Sequence, residues 1–269
     1  MYGAFYGLKQ MPFRITPDPQ FLYPSARHRE AVDSLVYGIV QRAGFMVLVG
    51  DVGSGKTTVC RCVMAALPAD VETALILNPG LNGNQMVRAI LHDLGQPPRG
   101  RDRLALLEQL NAHLLRCADE GRTVAVFIDE AQGMAADTME QVRLLSNLET
   151  DESKLLQIVL SGQPELTSRL ASKGLRQLRQ RVMVHSELVP LTLDESRAYV
   201  EHRLRVAGRE DAGLFDERAL RALHRGSGGV PRLLNKLCDR AMLAGYANGR
   251  AQIGIDEAHR ALRELEAVR

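Results

Sequence analysis

Four short apolar runs divide the first 160 residues: Phe45–Val49, Thr73–Leu77, Thr123–Ile128 and Leu155–Leu160. None alternates strictly, and each stops at a glycine or polar residue, as strands buried on both faces of a parallel sheet do. Between them the apolar period lengthens. Ala31, Leu35 and Ile39 share one helical face, with Val32 and Val36 beside them and Ser25 placed to cap it. Further helices are predicted over residues 56–67 and 85–94, along Leu104, Leu107, Leu110 (or Asn111) and Leu114, and along Met139, Val142, Leu145 and Leu148. Strand and helix alternate, so the expected fold is α/β, a three-layer sandwich with helices over both sheet faces. Beyond Pro190 the pattern is wholly helical, with starts at Leu193-Asp194-Glu195, Phe215-Asp216-Glu217, Gly229-Val230-Pro231 and Ile255-Asp256-Glu257. Residues 1–26 fit neither pattern. Tyr2, Phe5, Tyr6, Phe13, Phe21 and Tyr23 alternate there with Pro12, Pro17, Pro19 and Pro24, which forbid a long helix. The expected organisation is an aromatic, proline-rich segment (1–26) packed on the main domain, an α/β domain (27–190) and a small helical domain (191–269).

The stretch joining the first run to its helix reads Gly50-Asp51-Val52-Gly53-Ser54-Gly55-Lys56-Thr57-Thr58. Strand, glycine-rich turn and helix are the context of a phosphate-binding loop, and G-x-x-x-x-G-K-T is far more specific than a lone glycine-rich turn. Gly50, Gly53 and Gly55 let the backbone turn tightly and aim N–H groups at phosphate oxygens. Lys56 can reach the terminal phosphates, the Thr57 hydroxyl can hold Mg2+, and the helix adds its positive end. A nucleoside triphosphate with Mg2+ is the expected ligand of residues 50–58.

Composition narrows the rest. Lys and Arg number 34 against 32 Asp and Glu, a net charge of +2 that neither supports nor excludes a nucleic-acid partner. With no Trp and 4% aromatic residues, a stacking platform for single strands is poorly supplied. Cys60, Cys62, Cys117 and Cys238 form no C-x-x-C pair and read as reduced, small apolar residues. No apolar run approaches the roughly 18 residues of a membrane span, and the N-terminus lacks a signal-peptide pattern. The expectation is a cytoplasmic protein that reaches the inner membrane through a partner.

Candidate chemistry gathers at strand ends. Asp129-Glu130 follows the third run, where Asp129 can bind Mg2+ and Glu130 can orient and activate the attacking water. Ser161 and Gln163 follow the fourth. Either can contact the γ-phosphate or the water, with a simple helix cap as the alternative. Asn78 ends the second run, where local turn bonding is an equal reading. Arg176, Arg179 and Arg181 crowd one segment, and one of them, with Arg181 preferred over Arg179, can complete a neighbouring subunit's site. A basic helix surface is the rival. Arg232, one residue after Pro231, can contact phosphates in cis if the helical domain folds over the nucleotide. The seven histidines show no zinc-site spacing with cysteine or carboxylate and read as surface or packing residues.

The loop, the acidic pair, the polar strand end, the arginine-rich segment and Gly229-Val230-Pro231-Arg232 occur in an order that resembles the AAA+ ATPases. Phe5-Tyr6-Gly7-Leu8, Pro12-Phe13, Thr16-Pro17-Asp18-Pro19, Phe21-Leu22-Tyr23, His28-Arg29-Glu30-Ala31, Tyr37-Gly38-Ile39, Asp129-Glu130-Ala131-Gln132 and Ser161-Gly162-Gln163-Pro164-Glu165-Leu166 extend the likeness to the general secretion pathway protein A-like, or ExeA-like, group, over nearly the whole chain. The resemblance implies a P-loop NTPase sandwich with an all-helical AAA+ lid. It also implies ATP and Mg2+, hydrolysis to ADP and phosphate, and ATP-dependent homo-oligomers serving a secretion, pilus or exopolysaccharide machine of the cell envelope. By position, Lys56 and Thr57 match its phosphate-binding pair, Asp129 and Glu130 its metal and water pair, and Arg232 its lid arginine. Longer members continue into a transmembrane segment and a peptidoglycan-binding region, so direct cell-wall binding is not expected of these residues. Related ATPases act with DNA in transposition and repair, the main alternative function. A metabolic kinase and a nonhydrolytic scaffold fit the intact Lys56, Thr57, Asp129 and Glu130 less well.

Overall fold

The computed structural model describes residues 2–14, 16, 18–100, 102–150, 154–209, 211 and 213–267; Pro17, among the prolines named above, lies outside them. In chain order the elements are α1 (Tyr2–Phe5), a 3-10 turn (Pro19–Phe21), α2 (Ala26–Val40), β1 (Phe45–Gly50), α3 (Lys56–Ala66), β2 (Val71–Ile76), α4 (Gly83–Asp93), α5 (Arg103–Asp119), β3 (Thr123–Ile128), α6 (Ala136–Leu145), β4 (Leu156–Gly162), α7 (Glu165–Leu170), α8 (Arg176–Arg179), β5 (Val182–Leu188), α9 (Leu193–Val206), α10 (Glu217–Ser227), α11 (Pro231–Ala247) and α12 (Ile255–Glu266). They group into two compact units, residues 29–50 with 59–188, and residues 1–28 with 51–58 and 189–269.

The first unit is a parallel sheet in the order β2-β3-β4-β1-β5. Every residue of β1, β3 and β4 is buried, as continuous apolar runs require. Alternate side chains feed two cores. Phe45, Val47 and Val49 pack with Met86 and Ile90 of α4 and Leu106 and Leu110 of α5. Met46 and Leu48 join Leu35 and Ile39 of α2 and Val59 and Val63 of α3. This is the expected three-layer arrangement. Asn82 and Gln85 close a capping box at the start of α4, an arrangement in which the cap alone contributes about 0.5–2 kcal/mol.

Three details depart from the sequence reading. A fifth strand, β5, was not anticipated: Met183, His185 and Glu187 are exposed between inward Val184, Ser186 and Leu188, the period-two pattern of an edge strand. On α5 the buried stripe is Leu106, Leu110, His113, Leu114 and Cys117, while Leu104 is 63% exposed. β2 runs Val71–Ile76, so Leu77 falls past its end and is exposed.

The second unit packs α9–α12 around Val200, Leu204, Leu223, Leu234, Leu237 and Ala241. Thr192 and Glu195 form the capping box that starts α9. Tyr2, Tyr6 and Phe13 belong to this same core. The Tyr6 hydroxyl lies 3.2 Å from the carbonyl oxygens of Met242 and Arg250, and that of Tyr2 donates to Asp239. Buried Arg203 of α9 donates from Nε to the Pro12 carbonyl at 2.5 Å and lies 4.8 Å from the centre of the Phe21 ring. Chain that cannot form a long helix is thus held by aromatic burial and one cation–π contact.

Candidate active site

The loop after β1 folds back on itself. The Lys56 ammonium donates to the Asp51 carbonyl at 3.1 Å, and Ser54 N–H donates to the same residue's carbonyl at 3.1 Å. Gly53 and Gly55 have φ of +84° and +104°, conformations that side chains other than hydrogen rarely adopt. A Cβ at position 53 would stand 2.4 Å from Cβ of Arg232, whose N–H donates to the Gly53 carbonyl at 3.2 Å. Arg232 itself follows Pro231 at the start of α11, and its side chain is exposed. Thr57 and Thr58 sit half-buried in the first turn of α3, and Val52 is exposed. The Ser54 hydroxyl is buried with no hydrogen-bond partner among the described residues. A buried donor of this kind, beside a curled glycine backbone and an ammonium group, fits phosphate oxygens.

The acids lie at the C-terminal edge of the sheet. Asp129 N–H donates to the Ile76 carbonyl at 2.9 Å, extending the β2–β3 pairing by one residue and leaving Asp129 3% exposed. Ile128 pairs with Leu160, and Leu48 of β1 with Ser161, so β4 ends between the acidic pair and the strand that leads into the loop. The Ser161 hydroxyl donates to Asp129 Oδ1 at 2.8 Å, and Glu130 N–H to the same oxygen at 3.0 Å. Glu130 is left-handed, φ 53°, ψ 33°, which costs a non-glycine residue roughly 1–2 kcal/mol. Its Oε2 accepts from Gln132 Nε2 at 2.6 Å and from Gln163 Nε2 at 3.3 Å.

Residues 39–170 match the AAA domain family. The chain is 45% identical over 270 aligned residues to "General secretion pathway protein A" of Aeromonas hydrophila, covering 100% of this chain and 49% of that protein. Residues 39–170 are an AAA domain. Solved structures agree on the fold at lower identity. Cdc6p from Pyrobaculum aerophilum superposes with a TM-score of 0.71 at 19% identity, covering 92% of this chain and 71% of that one. The RuvB branch migration motor of Thermotoga maritima gives 0.60 at 18%, covering 88% and 69%.

Within this AAA domain, Ser161 and Gln163 both turn toward acids rather than one of them alone, Ser161 to Asp129 and Gln163 to Glu130. Arg181 donates to Ser146 Oγ at 3.1 Å and to the Asn147 side chain, just past α6. Arg179 is exposed at the end of the four-residue α8. Among the described residues no extended basic helix forms there.

Sequence reasoning read His28 as a surface or packing histidine and gave it no role at the loop. Its Nδ1 lies 2.7 Å from Ser25 Oγ and its Nε2 3.1 Å from the Ser54 carbonyl, and a Cβ at Gly55 would sit 3.2 Å from that same Nε2. Ser25 also accepts from His28 N–H at 3.3 Å, the expected cap of α2. Only the Nε2–H tautomer satisfies a carbonyl on one side and a hydroxyl donor on the other. Burial, the largest influence, lowers the His28 pKa and favours this neutral form, the Ser54 carbonyl and Glu195 opposing. The only cue in the sequence was its place three residues after a capping serine. His28→Ala should remove this strap at about 0.5–1.5 kcal/mol, roughly two- to twelvefold in nucleotide affinity, with the fold intact by circular dichroism. Because the folded pKa lies below the ordinary value, the stability that the buried neutral ring contributes is full above that value and is lost as pH falls through the lower one, while the Nε2–H donor to Ser54 survives protonation. Thermal unfolding followed across pH should therefore show wild type losing more stability toward acid than His28→Ala does.

A second group also escaped the spacing rules. Glu72 of β2 meets His113 and Cys117 of α5, with His113 Nε2 to Glu72 Oε1 at 3.1 Å and Cys117 Sγ to Oε2 at 3.5 Å. Arg122 pairs with the same Oε2 at 2.9 Å. Burial and the Glu72 carboxylate push the Cys117 thiol up. This is a satisfied, partly buried polar network at the sheet edge.

Proposed function

We propose that this chain hydrolyses ATP to ADP and phosphate and couples the cycle to assembly of a cell-envelope secretion, pilus or exopolysaccharide machine. The observation that carries the reading is the pair of oriented acids at the end of β3, one strand removed from the strand that runs into G-x-x-x-x-G-K-T. In this reading residues 27–190 form the nucleotide-binding domain and 191–269 its lid, with 1–26 as an accessory segment. Backbone N–H groups of residues 50–55 and the Lys56 ammonium grip the phosphates. Thr57 and Asp129 are the candidate Mg2+ ligands, and the ion supplies charge neutralisation between the phosphates. Ser161 keeps the Asp129 carboxylate turned. Glu130 takes the proton of the attacking water. Arg232 reports nucleotide through α11, and Arg179 or Arg181 of one subunit acts on its neighbour's γ-phosphate.

The envelope assignment follows the name of the Aeromonas relative, of which this chain spans about half. Among the described residues no helix is long and apolar enough to cross a membrane. In this reading a protein partner docks the chain at the inner membrane. The test is phosphate release with and without duplex DNA, paired with mass measurement in ADP and in ATP. The proposal expects Mg2+-dependent release that DNA does not stimulate, and larger assemblies in ATP. Salt-sensitive stimulation by DNA would replace the envelope assignment with the DNA-associated one.

A further inference from the structure

Gln132 stands two residues past Glu130, in the 3-10 turn Ala131–Gly133. Its amide is used at both ends: Nε2 donates to Glu130 Oε2 at 2.6 Å, and Oε1 accepts from the backbone N–H of Gln163 at 2.9 Å. A backbone N–H can only donate, so the amide oxygen must face Gln163 and the NH2 must face the carboxylate. The seat is tight. A Cβ on Gly162 would come within 2.7 Å of Gln132 Oε1 and 2.9 Å of Leu166 Cδ2. The turn is pinned from α7, where Arg169 donates to the Gln132 carbonyl and, at 2.6 Å, to that of Met134. The Gln163 side chain adds a second amide donor to Glu130 Oε2 at 3.3 Å. Two neutral donors on one carboxylate oxygen orient it without cancelling its charge.

We propose that Gln132 is a positioning residue that fixes the Glu130 carboxylate and ties it to the end of β4. Ser161 holds Asp129 and Gln163 holds Gln132, so a shift of residues 161–163 moves both acids together. Glu130, left-handed and strained, accepts from both amides on one oxygen of its side chain. The proposal rests on the reading of Glu130 as the group that activates water.

The test is a double-mutant cycle on the full chain, with turnover and ATP affinity measured for wild type, Gln132→Leu, Glu130→Gln and the double variant. Gln132→Leu should lower kcat about tenfold or more through misplacement of the carboxylate, while ATP affinity stays within about twofold, since no phosphate contact is removed. In the Glu130→Gln background the same change should cost almost nothing. An equal loss in both backgrounds, or a loss of affinity with kcat preserved, would overturn the positioning role. Wild-type turnover in Glu130→Gln would instead overturn the assignment of Glu130 itself. Should Gln132→Leu fold poorly, Gln132→Asn serves the same cycle, because one methylene less prevents the amide from reaching Glu130 and Gln163 together.

Discussion

Glu130→Gln is expected to bind ATP as wild type does and to hydrolyse it about 10²–10⁴ times more slowly, the usual contribution of a positioned general base. The substitution keeps the size of the side chain but removes its proton affinity. It also places an amide where Gln132 and Gln163 both present NH2 groups to Oε2, so both contacts survive only with the new amide oxygen in that place. The substitution alters neither the Lys56 bond to the Asp51 carbonyl nor the His28 bond to that of Ser54. Single-turnover phosphate release and equilibrium binding separate the two effects. ATP-dependent assembly should persist longer in this variant, since the bound triphosphate is consumed slowly.

Lys56→Ala should act on the other parameter. Loss of a charge-assisted hydrogen bond to phosphate costs about 1.5–3 kcal/mol, roughly ten- to 150-fold in ATP affinity. Lys56 is buried, 5% exposed, and its Nζ reaches the Asp51 carbonyl at 3.1 Å. Truncation therefore also removes the bond that closes the loop in the absence of ligand. Affinity for ADP should fall less than that for ATP if the ammonium reaches the terminal phosphate. Competition titration with ADP and a slowly hydrolysed ATP analogue reads that difference. Thermal unfolding should shift little in the ligand-free protein, and the stabilisation that ATP gives wild type should largely vanish.

The central strands were legible because burial on both faces leaves a plain apolar run, and Phe45–Val49 and Thr123–Ile128 are such runs. β5 was not, because an edge strand with Met183, His185 and Glu187 turned outward lacks that run. The stripe of α5 was misplaced because leucines occupy several faces of that helix, and burial chose Leu106 over the exposed Leu104. At the acid pair, Asp129 and Glu130 were marked by their place after a strand, and Ser161 and Gln163 by theirs. Their division of labour was hidden, since it depends on the register of β3 against β4. His28 and Gln132 carry no spacing signal. Both act by hydrogen bonds to backbone groups remote in sequence, Ser54 and Gln163, which only the folded chain brings near.

Calorimetric titration of Mg2+-ATP into the folded wild-type chain, repeated with Lys56→Ala, bears most directly on this account. It predicts saturable one-site binding in the wild type that weakens at least tenfold in the variant. Absence of binding in a folded, Mg2+-supplied sample, or equal affinity in both proteins, would contradict it.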